Sequence, residues 1–106
     1  MGYEAFWHDY LRAHARPATR ALHYAGTAAA LLCLVLACLR LDWRWLIAAP
    51  LVGYAAAWAA HLGVEGNTPQ TFGHPVWSLA SDVRMLALWA TGRLGAHLAA
   101  AGVVGP

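Results

Sequence analysis

Residues 21–39 read ALHYAGTAAALLCLVLACL and contain no formally charged side chain. A helix rises by about 1.5 Å per residue, so this run nearly matches a bilayer hydrocarbon core of about 30 Å. A second apolar run, WLIAAPLVGYAAAWAAHL, covers residues 45–62, and the charged link RLDWR, residues 40–44, joins the two. Because so short a link returns the chain to its starting side, the pattern predicts a transmembrane helical hairpin with spans over residues 18–39 and 45–62.

Small residues are spaced for close contact between these spans. Ala30 follows Gly26 by four residues, and Ala49, Gly53 and Ala57 repeat the spacing on the second span. Small residues four apart allow helix backbones to approach closely in a membrane. The spacing predicts a tight hairpin, and the same faces offer a contact for a homo-oligomer.

The composition favours lipid as the main solvent. Hydrophobic residues make up 60% and charged residues 11% of the 106 residues, which is more apolar surface than one short aqueous core can bury. The net charge is only +2, and the chain has no basic run with interleaved aromatic residues, so nucleic acid is not an expected partner. We therefore expect a single all-α membrane domain over residues 1–106.

The segments outside the spans predict three further elements. Residues 1–16 carry aromatic and leucine side chains at helical spacing, which indicates an interfacial helix with its aromatic side toward the acyl chains. Residues 63–84 are rich in Gly, Pro, Asn, Thr and Ser and are expected to form a polar, His-rich loop. Residues 85–103 are apolar again but contain Arg93, so a third span and a re-entrant or interfacial helix both stay open.

The hairpin brings distant polar residues to one face of the membrane. The start of the first span, the end of the second and the segments next to them lie on the same side, and five of the six histidines are found there. This face, called the histidine face below, contains His8, His14, Arg20, His23, His61, Glu65, Asn67, His74 and Asp82. The opposite face receives Arg40, Asp42 and Arg44.

The arginines predict which way the hairpin points. Cytoplasmic segments of membrane proteins carry an excess of positive charge. The histidine face has Arg12, Arg16, Arg20 and Arg84, against Arg40 and Arg44 on the other side. We expect an integral membrane protein with a cytoplasmic histidine face, in the plasma membrane if the source is bacterial.

The histidine face has the donors of a metal site. His61 and Glu65 are four apart and share a helix face, so the pair alone is equally a ligand pair or an ion pair. His14 and His23 fold onto the same face, and an ionisable group inside a span is usually functional, which favours a metal. Two or three imidazoles and a carboxylate suit iron, zinc or manganese, and with open positions they suit Fe(II) and oxygen.

Other polar and aromatic residues have supporting roles in this prediction. Arg20, Asn67 and Asp82 are expected to orient ligands or to hold a substrate carboxylate. Tyr54 and Trp58 lie one helical turn apart on the second span, where they either pack or reach the substrate.

Two blocks of the chain resemble a known family. FWHDYLRAHARPATRALHYAGT and GYAAAWAAHLGVEGNTPQTFGHPVWSLASDVRM resemble the Mpo-like family of small membrane proteins, over roughly residues 5–95. The resemblance depends on the motifs H-x8-H, GY-x3-W-x2-H-x3-E-x-N-x-P and HPxWSL-x2-D. Together these motifs are fairly specific, whereas each alone would be weak.

The resemblance implies a function. It implies an Fe(II)-dependent dioxygenase that uses O2 to shorten long-chain 2-hydroxy fatty acids by one carbon, in α-oxidation. The metal ligands implied are His14, His23, His61 and His74 with Glu65, where Glu65 and Asn67 also belong to the catalytic group. Arg20, Tyr54, Trp58 and Asp82 are then expected to bind the substrate.

Two other classes of function stay open at this point. Histidines on neighbouring membrane helices can be axial ligands of a haem. A non-catalytic assembly or scaffold protein could instead use the polar face to dock a partner. Haem in the purified protein would favour the first alternative, whereas stoichiometric iron without haem would favour the dioxygenase. Partner binding that survives His14→Ala would favour the scaffold protein.

Overall fold

The computed structural model describes residues 2–68 and 73–103, and the regular elements within them are all helices. In chain order these are α1 (Tyr3–Ala13), α2 (Pro17–Arg40), α3 (Arg44–Trp58) with a π-helical continuation (Ala59–Glu65), α4 (Pro75–Ala90) and α5 (Leu94–Ala100). The expected all-α fold class is confirmed. Residues 69–72 of the predicted polar loop lie outside the described residues.

The central unit is an antiparallel hairpin of α2 and α3. Helix α2 has 24 residues, and α3 with its π-helical continuation has 22, so each is long and apolar enough to cross a membrane. Leucines on the outer faces are more than half exposed, as on a lipid-facing surface, and include Leu32, Leu39 and Leu51. Only two helices of the described chain have this length and composition.

The turn of the hairpin follows from its local sequence. Pro17 begins α2 at the first helical turn, where its missing N–H is not needed. Leu41 ends α2 in a left-handed conformation with φ of 50°. Asp42 then accepts hydrogen bonds from the Arg44 backbone N–H at 3.0 Å and from the Arg44 guanidinium at 2.9 Å. These bonds reverse the chain within a few residues.

The two helices approach closely at their small residues. A Cβ atom at Gly26 would lie 2.4 Å from the Cβ of Ala56, which is closer than two such atoms can be. One at Gly53 would lie 3.7 Å from the Cβ of Ala30, an ordinary contact. Gly26 is therefore the point at which the absence of a side chain sets the distance between the helices.

Helix α1 packs on the C-terminal helices and not on lipid. Phe6, Trp7, Tyr10 and Leu11 are at most 1% exposed and form one core with α4 and α5. The partners in this core are Met85, Leu94, Leu98 and Ala101. The expectation that this aromatic side faces the acyl chains is wrong, because the C-terminal helices cover it.

The C-terminal boundaries also differ from the prediction. The predicted loop over residues 63–84 is helical from Pro75 onward, and the second span continues to Glu65. The predicted helix over residues 85–103 is divided at Gly92, which has φ of 72° and ends α4. Helices of 16 and 7 residues are too short to cross a bilayer, so residues 85–103 do not form a third span.

Candidate metal centre

Three imidazoles from three different elements meet at the end of the hairpin. His14 follows the last residue of α1, His23 lies two turns into α2, and His61 lies in the π-helical continuation of α3. The Nε2 atom of His23 is 3.1 Å from Nε2 of His14 and 3.1 Å from Nε2 of His61. All three side chains are at most 5% exposed.

The other ring nitrogen of each histidine has an acceptor. His14 Nδ1–H donates to the Tyr10 carbonyl oxygen at 2.6 Å, and His61 Nδ1–H donates to Asn67 Oδ1 at 2.7 Å. His23 Nδ1–H points to Asp82 Oδ1 at 3.3 Å. Because a neutral imidazole carries one N–H, these bonds leave a lone pair on every inward Nε2.

Three converging lone pairs repel one another unless a cation lies between them. Metal–nitrogen bonds of about 2.0–2.1 Å place adjacent ligand atoms about 3 Å apart, which agrees with the observed separations. The ring planes cross at 80–81°, so the three lone pairs can occupy one face of a coordination sphere. The donor set and its spacing therefore fit a metal ion held by His14, His23 and His61.

Electrostatics keeps two groups of this centre neutral. Burial and the neighbouring His23 hold the pKa of His14 well below its usual range, which keeps the ring in its ligand form. Burial and the Asp82 carboxylate raise the pKa of Tyr10 well above its usual value, so Tyr10 stays a phenol. Its hydroxyl donates to Asp82, which therefore receives donors from both Tyr10 and His23.

The supporting residues fix the position of the ligands. The Asn67 amide donates from Nδ2 to the Ala13 carbonyl at 3.0 Å, which leaves Oδ1 as the acceptor for His61. Arg20 is 4% exposed and donates to the carbonyls of His14 at 2.9 Å and Ala15 at 2.8 Å. Arg20 thus holds the corner between α1 and α2, and Asn67 and Asp82 orient two of the three rings.

The Glu65 carboxylate faces the beginning of α2. Its Oε1 accepts the backbone N–H of Arg16 at 2.5 Å and the hydroxyl of the buried Thr19 at 3.0 Å. Backbone N–H groups at a helix N-terminus lack helical partners and attract a negative charge. The structure does not bring Glu65 into the group of three histidines.

His74 is also separate from the three histidines. Its exposed ring stacks on Trp77, with ring centroids 4.7 Å apart. It lies at a steep angle to the Phe6 ring, with centroids 5.3 Å apart. It precedes Pro75, the first residue of α4. The described residues contain one group of three or more metal-ligating side chains within reach of each other, and it lacks His74.

A groove leads from the histidines between α2, α3 and α4. It encloses a cavity of about 270 Å³, and His14, His23, His61 and Asp82 line one end. On α2 the lining continues through Thr27, Ala30, Leu31 and Leu34, and on α3 through Ala57, Tyr54, Gly53, Pro50 and Ala49. From His23 to Leu34 the groove runs roughly 16 Å along α2. Tyr54 lines it, whereas Trp58 does not.

The centre does not fit a haem. Two axial imidazoles bind haem iron from opposite sides of the porphyrin plane. The Nε2 atoms of His23 and its neighbours are only 3.1 Å apart and point at one another, which leaves no room for a ring between them.

Comparison with known proteins adds one finding. The chain matches the model of a family described as 2-hydroxy-palmitic acid dioxygenase Mpo1-like, over residues 1–94. The chain belongs to the Mpo1-like family. No curated protein and no solved structure matches it.

The Mpo1-like match covers the whole candidate centre. Residues 1–94 include the three histidines and the side chains that orient them, and they end where α5 begins. The family recognised from the sequence motifs is thus confirmed. The Mpo1-like name describes a dioxygenase of 2-hydroxy-palmitic acid, which is a statement about the family.

Sequence reasoning missed two contributors to the Mpo1-like centre. Tyr10 supports His14 through its carbonyl and Asp82 through its hydroxyl, and Thr19 binds Glu65. Tyr10 lies four residues before His14, on the same helix face, which is a signal that could have indicated the first contact. The contact between Thr19 and Glu65 joins residues 46 apart, and no local spacing predicts it.

Proposed function

We propose that this protein is a membrane-embedded, non-haem Fe(II) dioxygenase that shortens long-chain 2-hydroxy fatty acids by one carbon. The observation that supports it most is the position of three inward Nε2 lone pairs at the end of an apolar groove. The family name supports the reaction class. In this reaction RCH(OH)COOH and O2 give RCOOH, CO2 and H2O, which balances atoms and electrons.

The three histidines are proposed to hold the iron. Held by these three imidazoles, a ferrous ion would supply the redox chemistry that activates O2, and three protein ligands would leave positions for the oxygens of the substrate. Zinc and manganese are the other candidates, but zinc has no redox chemistry and manganese prefers oxygen ligands to imidazoles, so iron is the ion that best suits three histidines and a reaction with O2. The ligand set proposed is His14, His23 and His61, with Glu65 stabilising the N-terminus of α2.

The remaining residues hold ligands and exclude water. Asp82 and Asn67 accept the outer N–H groups of His23 and His61 and keep both rings in the tautomer that binds metal. The leucines and alanines of the groove surround the acyl tail, which leaves lipid at little cost because both environments are apolar. Such a substrate reaches the centre by diffusion within the bilayer.

The orientation of the protein is part of the proposal. We propose that the histidine face is cytoplasmic, because four arginines lie on it against two on the other face. Cysteine introduced at Arg44 should then react with an impermeant thiol reagent from outside intact cells. Labelling from the cytoplasmic side only would reverse this orientation.

The test of the function combines metal analysis with turnover. Protein purified in detergent without oxygen should take up one Fe(II), and adding O2 and a long-chain 2-hydroxy acid should give oxygen uptake and the shortened acid. His14→Ala, His23→Ala and His61→Ala should each lose iron and activity, whereas His8→Ala should keep both. Protein that binds stoichiometric iron but forms no shortened acid would contradict the proposed reaction. Partner binding by an iron-free protein would favour a non-catalytic scaffold protein.

A further inference from the structure

One hydroxyl in the apolar groove lies close to the histidines. Thr27 follows His23 by four residues, so its side chain is one turn, about 6 Å, farther along the same face of α2. It lines the groove together with Ala30 and Leu31. This places the Thr27 hydroxyl between the polar end of the groove and its apolar part.

The Thr27 hydroxyl has no hydrogen-bond partner within residues 2–68 and 73–103. A threonine in a helix usually donates to the carbonyl one turn earlier, as Thr91 does to Ala87 at 2.8 Å. Thr27 forms no such bond with His23. A hydroxyl that gives up this bond in an apolar environment is costly, and the groove lets a ligand supply the missing partner.

The other hydroxyls of the groove are less suited to a ligand near the histidines. Tyr10 donates to Asp82, and Tyr54 lies two turns along α3 from His61. Ser78 lies on α4 and already takes part in another interaction. Thr27 is therefore the hydroxyl in the described groove that combines a position next to a ligand histidine with an open hydrogen-bonding group.

A fatty-acid head group in this groove also lacks a cationic side chain. The chain contains no lysine, and none of the groove-lining residues is an arginine. The buried Arg20 is held by the His14 and Ala15 carbonyls at the corner of α1 and α2. A carboxylate oxygen that is not bound to the proposed metal ion therefore finds only neutral hydrogen-bond donors on the groove wall.

We propose that Thr27 is a substrate-binding residue whose hydroxyl donates a hydrogen bond to the carboxylate of the bound 2-hydroxy acid. The identity of this ligand rests on the proposed function. The observation that the Thr27 hydroxyl has no partner in the described residues is independent of it. Thr27 distinguishes an acid from the uncharged lipid tails that can enter the same groove. The acyl tail then extends past Thr27 toward Leu34.

The test measures binding separately from turnover. Protein loaded with Zn(II), which does not reduce O2, is placed in phosphatidylcholine nanodiscs, and 2-hydroxypalmitic acid or its methyl ester displaces a fluorescent fatty acid. Thr27→Val keeps the shape and removes the hydroxyl, so it should weaken binding of the acid roughly tenfold or more. Thr27→Ser should restore it. The ester accepts only a neutral hydrogen bond from Thr27, so its binding should weaken much less in Thr27→Val than binding of the acid. Thr91→Val, outside the groove, is the matched control.

The outcomes separate this inference from the proposed function. Equal affinity of wild type and Thr27→Val for the acid overturns the role of Thr27, as does a wild-type protein that binds no acid. With iron, Thr27→Val should raise KM much more than it lowers kcat. A Thr27-dependent affinity for the acid without any oxygen uptake by the iron form would keep Thr27 as a binding residue and reject the dioxygenase.

Discussion

At the residue scale, Asp82 lies outside the proposed ligand set but contacts one of its histidines. Its carboxylate accepts from Tyr10 and faces His23 Nδ1 at 3.3 Å, so it holds the His23 ring with the lone pair inward. Mutating such an outer hydrogen-bond partner typically costs 10–100-fold in metal affinity, and asparagine keeps an acceptor oxygen but loses the negative charge. We expect Asp82→Asn to weaken Fe(II) or Zn(II) binding by about tenfold, measured by competition with a chelator.

The control for Asp82→Asn is a substitution at another carboxylate near the histidine face. Asp9 pairs with Arg12 on the surface of α1, and Asp9→Asn should leave the metal affinity unchanged. An affinity of Asp82→Asn equal to that of the wild type would contradict the role of Asp82 in orienting His23.

For Glu65 we expect the opposite result, which is a loss of stability without a loss of metal. Its carboxylate accepts from the Arg16 backbone and from Thr19, so we expect Glu65→Ala to lower the free energy of unfolding by about 1–2 kcal/mol through the unsatisfied start of α2. Metal content should stay near that of the wild type. Denaturant titration followed by circular dichroism measures the first effect, and metal analysis the second. Loss of metal at unchanged stability would instead make Glu65 a ligand.

The difference between these residues explains what sequence alone predicted of the site. His14, His23 and His61 converge because a short link fixes the hairpin, and the hairpin fixes which residues share a membrane face. Glu65 shares that face too, but the unpaired N–H groups of α2 compete for its carboxylate, and this competition depends on contacts between residues 16 and 65. No spacing along one helix contains that information.

At the element scale, we expect the distance between α2 and α3 to determine the geometry of the proposed metal site. Gly26 lies three residues after His23, and its partner Ala56 lies five residues before His61. A Cβ atom at Gly26 would be 2.4 Å from that of Ala56, so Gly26→Ala should force the helices apart and cost about 1–3 kcal/mol. The His23 and His61 nitrogens should separate, and metal affinity should fall with stability.

Gly53→Ala is the matched substitution for Gly26→Ala. The added Cβ would lie 3.7 Å from Ala30, an ordinary van der Waals distance, so stability and metal affinity should change little. Thermal unfolding in detergent and chelator competition compare the two variants. Equal behaviour of the two would show that the close approach at Gly26 does not control the centre.

The elements after the hairpin were predicted less well, for two physical reasons. The aromatic face of α1 indicates burial, but lipid and protein are both apolar, so the pattern does not say that α4 and α5 cover it. The buried positions of α4 are Ser78, Ser81 and Met85, and the two serines hide its helical periodicity. Small polar residues fit where helices pack tightly. A prediction based on hydrophobicity alone assigns such residues to a loop.

At the scale of the whole molecule, three helices enclose the groove unequally. Helix α2 packs against both α3 and α4, whereas α3 and α4 make few contacts with each other. This leaves a gap between α3 and α4. Exposed groove-lining residues lie on both sides of it, Pro50 and Tyr54 on α3 and Leu79 and Val83 on α4. The groove runs roughly 16 Å from the histidines, about half of a hydrocarbon core of about 30 Å. If the proposed substrate binds here, we expect its acyl tail to enter from one leaflet between α3 and α4.

This route predicts that a bulky side chain in the gap affects substrates according to their tails. Leu79→Trp narrows the gap at a side chain that is 67% exposed, so turnover of a long-chain 2-hydroxy acid in vesicles should fall several-fold. A short, water-soluble 2-hydroxy acid has no tail to pass the gap and should be turned over as by the wild type, with iron content unchanged. Val76→Trp, on the same helix but outside the groove lining, is the control. If both substrates slowed equally in Leu79→Trp, the tail would have to reach the histidines by another path, because a narrowed gap acts only on what passes through it.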